Sequence, residues 1–165
     1  MQNFDERITK YFFDLGRSNE ALWRFISLRG MYVFVLTYLF ILFFSSSATF
    51  IKLTPVIALA LTFLITMLIR YTVRRKRPKF EGSTYRAWLN SFSFPSLHAS
   101  LSFAFSVSLS VILWNVSPDM WGIVCIVFLN ALAGLIALSR LAVGVHYISD
   151  IIVGLLIGIA VSAMV

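Results

Sequence analysis

A lone cysteine, Cys125, leaves no partner for a disulfide within the chain, and it lies in an apolar run where packing is its expected role. Acidic residues number only seven, with no carboxylate cluster of the kind that holds magnesium. Charge of either sign is scarce. With 13% charged residues against 59% hydrophobic ones, the chain cannot wet the exterior of a soluble domain, which implies an integral membrane protein. The expected class is all-α, a polytopic helical bundle of about five spans at roughly 20 residues each. Residues 1–165 read as one membrane-embedded domain with its motifs concentrated in about 70–150. Residues 1–10 include Asp5 and Glu6 and lack a small-residue cleavage site after a short apolar core, so a removable signal peptide is not expected.

What is present is hydrophobic periodicity with polar interruptions. Phe4, Ile8, Tyr11, Phe12 and Leu15 recur at helical spacing while Asp5, Glu6, Arg7, Lys10 and Asp14 fall between them, the pattern of an amphipathic helix lying in the membrane interface. Five spans are expected over about 30–50, 54–73, 97–116, 120–138 and 147–165. Trp23, Arg24 and Arg29 anchor the entry of the first. Pro55 fits the first turn of the second, where its missing N–H is not needed. Ser117-Pro118-Asp119 breaks the chain between the third and fourth, and Gly154 and Gly158 let a neighbouring helix approach the fifth closely.

Three polar signatures stand at span ends: Arg70 through Arg77-Pro78, then Pro95-Ser96-Leu97-His98, then Ser139-Arg140 followed by His146 and Asp150. Because a helix that ends on one side of the membrane forces the next to begin there, alternation brings all three to one face. Each also has a plainer reading. Arg74, Arg75, Lys76, Arg77 and Lys79 form a basic cluster suited to lipid headgroups, and Arg70, one turn inside the span, can snorkel. Ser96 can serve only as an N-cap and His98 as a first-turn polar residue. Alternatively, the helix start offers N–H groups and a dipole to a phosphate, with the His98 imidazole as proton donor. His146 and Asp150, four apart, are expected on one face of the helix opening the fifth span, where the carboxylate holds one ring nitrogen and frees the other as a nucleophile. Arg140 can clamp a phosphate oxygen across a connection containing Gly144, or Asp150 can cap or pair locally, with Arg140 for instance.

Jointly these residues resemble the type 2 phosphatidic acid phosphatase superfamily, also called the lipid phosphate phosphatase and vanadium haloperoxidase superfamily, and its small bacterial membrane members in particular. Its first motif, lysine then six residues then Arg-Pro, is matched by Arg77-Pro78 with Arg70 in the lysine position. Pro95, Ser96 and His98 match Pro-Ser-Gly-His, with Leu97 replacing glycine; Ser139, Arg140, His146 and Asp150 match the third motif throughout. The resemblance implies a phosphatase in which His146 attacks phosphorus to form a phosphohistidine, Asp150 orients it, and His98 protonates the leaving group. Arg70, Arg77, Arg140, Ser96 and the Leu97 backbone N–H would hold the phosphoryl group. It implies no cofactor and no metal, a membrane lipid as substrate, and the bilayer rather than nucleic acid as surroundings. Arg70 presents a planar fork where the family has an ammonium, and Leu97 adds a hydrophobic wall.

Candidate substrates are phosphatidic acid, phosphatidylglycerophosphate, a polyprenyl diphosphate of the undecaprenyl type and a phosphorylated lipid A. The motifs do not choose among them, nor do they give an oligomeric state. Arg7, Lys10, Arg17, Arg24, Arg29, Arg74, Arg75, Lys76, Lys79 and Arg86 fall on the motif side against Lys52 opposite, which by the positive-inside rule favours the cytoplasm. The resemblance implies the outer face of the inner membrane instead. Other classes are a vanadate-dependent haloperoxidase, whose usual soluble scaffold conflicts with these spans, a noncatalytic lipid-binding protein, and a transporter, which would gather its polar groups at the membrane middle.

Overall fold

The computed structural model describes residues 4–44, 49–81 and 92–165. Over these the chain forms α1 (Phe4–Gly16), a 3-10 turn (Arg17–Asn19), α2 (Glu20–Arg29), α3 (Met31–Phe44), α4 (Thr49–Val73), α5 (Leu97–Val116), α6 (Met120–Ala142) and α7 (Ile148–Met164). Among the described residues there is no strand. Four helical segments are long and apolar enough to cross a membrane: Phe4–Phe44 taken as one run, Leu53–Val73, Leu97–Val116 and Met120–Ala142. The protein is therefore an all-α polytopic membrane bundle. The sharper expectation, five spans with a separate interfacial helix, is not distinguished at this level. The first 41-residue run carries α1 to α3 with hardly a break, and α7 is apolar but shorter than the spanning length.

Local chemistry explains where the helices start and stop, and corrects several boundaries. Asp119 caps α6, accepting from the Gly122 N–H at 2.9 Å and the Ser117 hydroxyl at 2.7 Å, so the Ser-Pro-Asp segment is the tight turn its composition implies. The expected second span, about 54–73, lies within α4, but the helix starts earlier, at Thr49, so Pro55 lies inside it rather than in its first turn. The helix of the expected fourth span, α6, runs past 138 to Ala142, so Ser139 and Arg140 belong to its last turns. Nothing in Leu138-Ser139-Arg140-Leu141 breaks a helix; Gly144 does. Residues 45–48 of the expected first span, and Arg86, lie outside the described residues.

Lipid tails are as apolar as the helices, so close packing and interhelical hydrogen bonds must hold the bundle together. Its centre is α5, which packs against α4, α6 and α7. Phe34 and Ile41 of α3, Phe105, Leu109 and Ile112 of α5, and Leu129, Ala133 and Ile136 of α6 form the main apolar cluster. Small residues bring backbones together: a Cβ on Gly154 would stand 2.7 Å from the Ser96 carbonyl oxygen, and one on Gly158 2.3 Å from that of Ser100. Hydroxyls also bridge helices, Thr66 of α4 to Ser100 of α5 at 3.0 Å and Ser108 of α5 to Ser162 of α7 at 3.3 Å. Large apolar side chains such as Leu64 and Leu68 face outward, as does Cys125, which is exposed on α6 and is not a core-packing residue. In α1 the buried face is Thr9, Phe13 and Gly16, set against α6 and α7, while Phe4, Tyr11 and Leu15 point away from the bundle.

Candidate active site

The close α5–α7 contact brings the N-termini of both helices side by side, and the Ser96 N–H donates to the Asp150 carbonyl at 3.0 Å. Ser96 is fully buried and is the N-cap of α5, its Oγ accepting from the Ala99 N–H at 3.4 Å. Leu97 and His98 open the helix half-buried; like any first-turn groups, their N–H donors have no intrahelical acceptor. Arg140, Arg70, Arg77 and His146 all stand within electrostatic reach of His98, so the three signatures do meet.

Arg70 turns inward at the end of α4 instead of snorkelling to headgroups. It is 3% exposed, its Nη2 donates to the Pro95 carbonyl at 2.5 Å, and among the described residues its buried Nε has no partner. Beyond Val73 the chain reverses at Arg74 (φ 52°), and Ser93 then fastens the basic segment, its N–H donating to the Arg75 carbonyl at 2.7 Å. The basic cluster thereby divides. Arg74, Lys76 and Lys79 are exposed, whereas Arg75 and Arg77 point into the site. Arg77 Nη1 donates to the Val145 carbonyl at 2.8 Å and lies 3.2 Å from His146 Nε2. Arg140, also 3% exposed, donates through Nη1 to the Ser27 hydroxyl of α2.

Gly144 (φ 72°) makes the turn between α6 and α7 in a conformation that a side chain would strain. His146 and Asp150 come together, but not on one helix face: α7 begins at Ile148, Tyr147 is its N-cap, and His146 precedes it. Asp150, in the first turn, reaches back over the cap. Its Oδ2 accepts from the Tyr147 N–H at 2.8 Å and faces His146 Nδ1 at 3.4 Å. Both side chains are buried. Burial, followed by the positive charges of Arg140, Arg77 and Arg70, holds His146 well below the ordinary histidine pKa, so its ring is neutral at pH 7. A proton on Nδ1 facing the carboxylate leaves the Nε2 lone pair toward Arg77.

The partner of Asp150 is Arg75, not Arg140: Arg75 Nη1 lies 3.0 Å from Asp150 Oδ1. In sequence Arg75 reads as one of the headgroup-binding cations and Asp5 as a polar-face residue of the N-terminal helix, and Ser27, Ser93 and Ser149 carry no signal at all. Local spacing carries no signal for contacts between residues so far apart in the chain. Arg70, Arg75, Arg77 and Arg140 against Asp5 and Asp150 leave an excess of positive charge, and with Arg75 committed to the two carboxylates, Arg70, Arg77 and Arg140 carry the surplus. Among the described residues no group of three or more His, Cys, Asp or Glu is arranged to hold a metal ion.

The pattern described as the PAP2 superfamily matches residues 51–165. A search of curated proteins returns no match. Among solved structures, LpxE of Aquifex aeolicus superposes with a TM-score of 0.77 at 20% identity, over 99% of this chain and 94% of that one. The first transmembrane PAP2-type phosphatidylglycerolphosphate phosphatase from Bacillus subtilis superposes with a TM-score of 0.68 at 19% identity, over 99% of this chain and 76% of that one. At these identities the likeness is one of fold.

Proposed function

The chain belongs to the PAP2 superfamily and is a membrane phosphatase, and from that premise we propose that it hydrolyses the phosphomonoester or diphosphate of a membrane lipid through a phosphohistidine on His146. The observation that carries this reading is the orientation of His146, with Nδ1 toward Asp150 at 3.4 Å and Nε2 toward Arg77 at 3.2 Å. In the first step Nε2 attacks phosphorus, the bond to the leaving oxygen breaks, and that oxygen takes a proton from His98. The negative charge of the bound phosphate favours a protonated His98. Asp150 stabilises the positive charge that the phosphorylated imidazole acquires. In the second step water attacks phosphorus, His98 takes its proton back, and phosphate and neutral His146 are released. Arg70, Arg77, Arg140, Ser96 and the Leu97 N–H hold the phosphoryl oxygens as charge develops, which supplies most of the catalysis.

Phosphatidic acid, phosphatidylglycerophosphate, a polyprenyl diphosphate and a phosphorylated lipid A are the substrates to compare. That the similar Bacillus protein is a phosphatidylglycerolphosphate phosphatase supports the glycerophospholipid class. In the bilayer, α7 serves as a fifth crossing and α1 lies in the interface, its outward Phe4, Tyr11 and Leu15 in lipid. The active face is the outer one of the inner membrane. The opposing positive-inside count is weakened because Arg75 is committed to Asp5 and Asp150. The test is phosphate release by the purified protein in detergent with EDTA across that panel. Release from at least one lipid phosphate is expected, and no release from any would sink the proposal.

A further inference from the structure

The N-terminal helix lies against the start of α7 and takes over donors that a helix start leaves unsatisfied. Thr9 Oγ1 accepts from the Ile148 N–H at 3.1 Å, and Asp5 Oδ1 from the Ser149 N–H at 3.1 Å. Asp5 Oδ2 also accepts from the Ser149 hydroxyl at 2.6 Å and from Arg75 Nη2 at 2.5 Å. Arg75 Nη1 donates to Ser149 Oγ at 2.6 Å and to Asp150 Oδ1 at 3.0 Å, and its guanidinium carbon stands 3.9 Å from the centre of the Tyr147 ring. Both Nη atoms are thus occupied by α1 and α7, which separates Arg75 from the phosphate-holding role proposed for Arg77.

The division of labour on Asp150 follows from these contacts. Oδ1 is held by Arg75, and Oδ2 is left for the Tyr147 N–H and His146 Nδ1. A carboxylate fastened at one oxygen cannot rotate the other away from the imidazole. Asp5 holds the far side of the guanidinium, and Tyr147 covers its face.

We propose that Arg75 is a positioning residue for the His146–Asp150 pair, held in place by Asp5, so that the N-terminal helix is an integral part of the catalytic centre. This rests on reading His146 as the nucleophile. Arg75 touches neither substrate nor phosphorus; it fixes the carboxylate that fixes the ring.

The experiment compares Arg75→Gln, Arg75→Lys, Asp5→Asn and the Asp5→Asn/Arg75→Gln double variant with wild type, using phosphatidylglycerophosphate and phosphatidic acid in detergent micelles. Arg75→Gln is expected to lower kcat about tenfold to a hundredfold, a loss of the size that outer-shell partners of metal-binding ligands carry, with KM changed less than about threefold. Arg75→Lys restores part of that loss, because an ammonium keeps the charge but lacks the fork that bridges Asp5 and Asp150. Asp5→Asn lowers kcat in the same direction, and the double variant is no worse than Arg75→Gln, as members of one linkage are not additive. Wild-type kcat in Arg75→Gln overturns the proposal. So does a rise confined to KM, which would mean substrate contact, or full additivity in the double variant. Should Arg75→Gln not fold, as judged by elution and melting in detergent, Arg75→Lys and Asp5→Asn decide, and wild-type kcat in both overturns it. Failure of the underlying reading is separable, because His146→Ala would then still turn over.

Discussion

Gly154 on α7 offers the most direct test that helix packing sets the geometry of the site. A Cβ there would lie 2.7 Å from the Ser96 carbonyl oxygen, 3.1 Å from Ala99 Cβ and 3.3 Å from the Ser100 nitrogen. Two of these are backbone atoms of α5 and cannot swing aside. Restoring an ordinary contact of 3.4 Å requires the helices to part by about 0.7 Å at the level of Ser96. Overpacking of this kind costs about 1–3 kcal/mol of stability. Because the parting occurs where Ser96 and His98 face His146 and Asp150, kcat should also suffer; a 1 Å misplacement is worth about a hundredfold, so a loss of roughly ten- to a hundredfold is expected for Gly154→Ala. Phosphate release at saturating lipid, paired with thermal melting in detergent, separates the two effects. Gly158→Ala, 2.3 Å from the Ser100 oxygen and a turn further from the site, should lose at least as much stability with a smaller effect on kcat. Gly134→Ala meets nothing within 4 Å and should be neutral or stabilising by up to about 1 kcal/mol. Gly154→Ala that folds and keeps wild-type kcat would refute the reasoning.

The depressed pKa of His146 has two consequences on acidification. The ring proposed as nucleophile stays neutral well below the ordinary value of 6.5, so the acid limb of kcat/KM due to this group should lie below pH 6.5; a limb due to it above 7 would contradict the buried, cation-flanked setting. The unfolded chain binds this proton at about pH 6.5 and the native state does not, so stability is full above 6.5 and falls as pH drops below it, which melting between pH 5 and 8 should display. Thr66→Val removes the 3.0 Å bond to Ser100, whose hydroxyl still reaches the Ser96 and Leu97 carbonyls at 3.2 Å, so the loss in melting stability should stay near 0.5–1.5 kcal/mol. A loss above about 3 kcal/mol would show the bond carries more than its own partner. Arg70→Lys, which restores the charge type of the family motif, should keep kcat within about tenfold, while Arg70→Ala should lose more than a hundredfold. An active Arg70→Ala would remove Arg70 from the phosphate site.

The convergence of the three signatures was legible because it depends only on counting apolar segments and on alternation across a bilayer. The Ser96 cap, the Ser117-Pro118-Asp119 turn and the Gly154/Gly158 contact were legible for a related reason, since each is a local rule of helix ends or of small residues in packing. His146 and Asp150 were rightly paired on the wrong geometry. Four-residue spacing suggests one helix face, yet here a capping carboxylate reaches back past Tyr147 to a residue outside the helix. Arg75 illustrates the opposite case. In sequence it is one of several adjacent cations, and only its fixed partners distinguish it, of which Asp5 lies 70 residues and Asp150 75 residues away. The same holds for Ser27, 113 residues from the Arg140 it receives, and for Asp5 with Ser149, 144 residues apart. Contacts of that range are products of the fold, and no spacing encodes them.

Covalent phosphorylation of His146 during turnover is the step on which the proposed mechanism depends. It is tested most directly by rapid acid-free quenching of the protein with a radiolabelled lipid phosphate in EDTA, followed by mapping of the labelled peptide. An acid-labile, base-stable phosphate is expected on the peptide bearing His146, with label and phosphate release both abolished in His146→Ala. Phosphate release by His146→Ala at the wild-type rate, or label on another residue that persists in this variant, would contradict it.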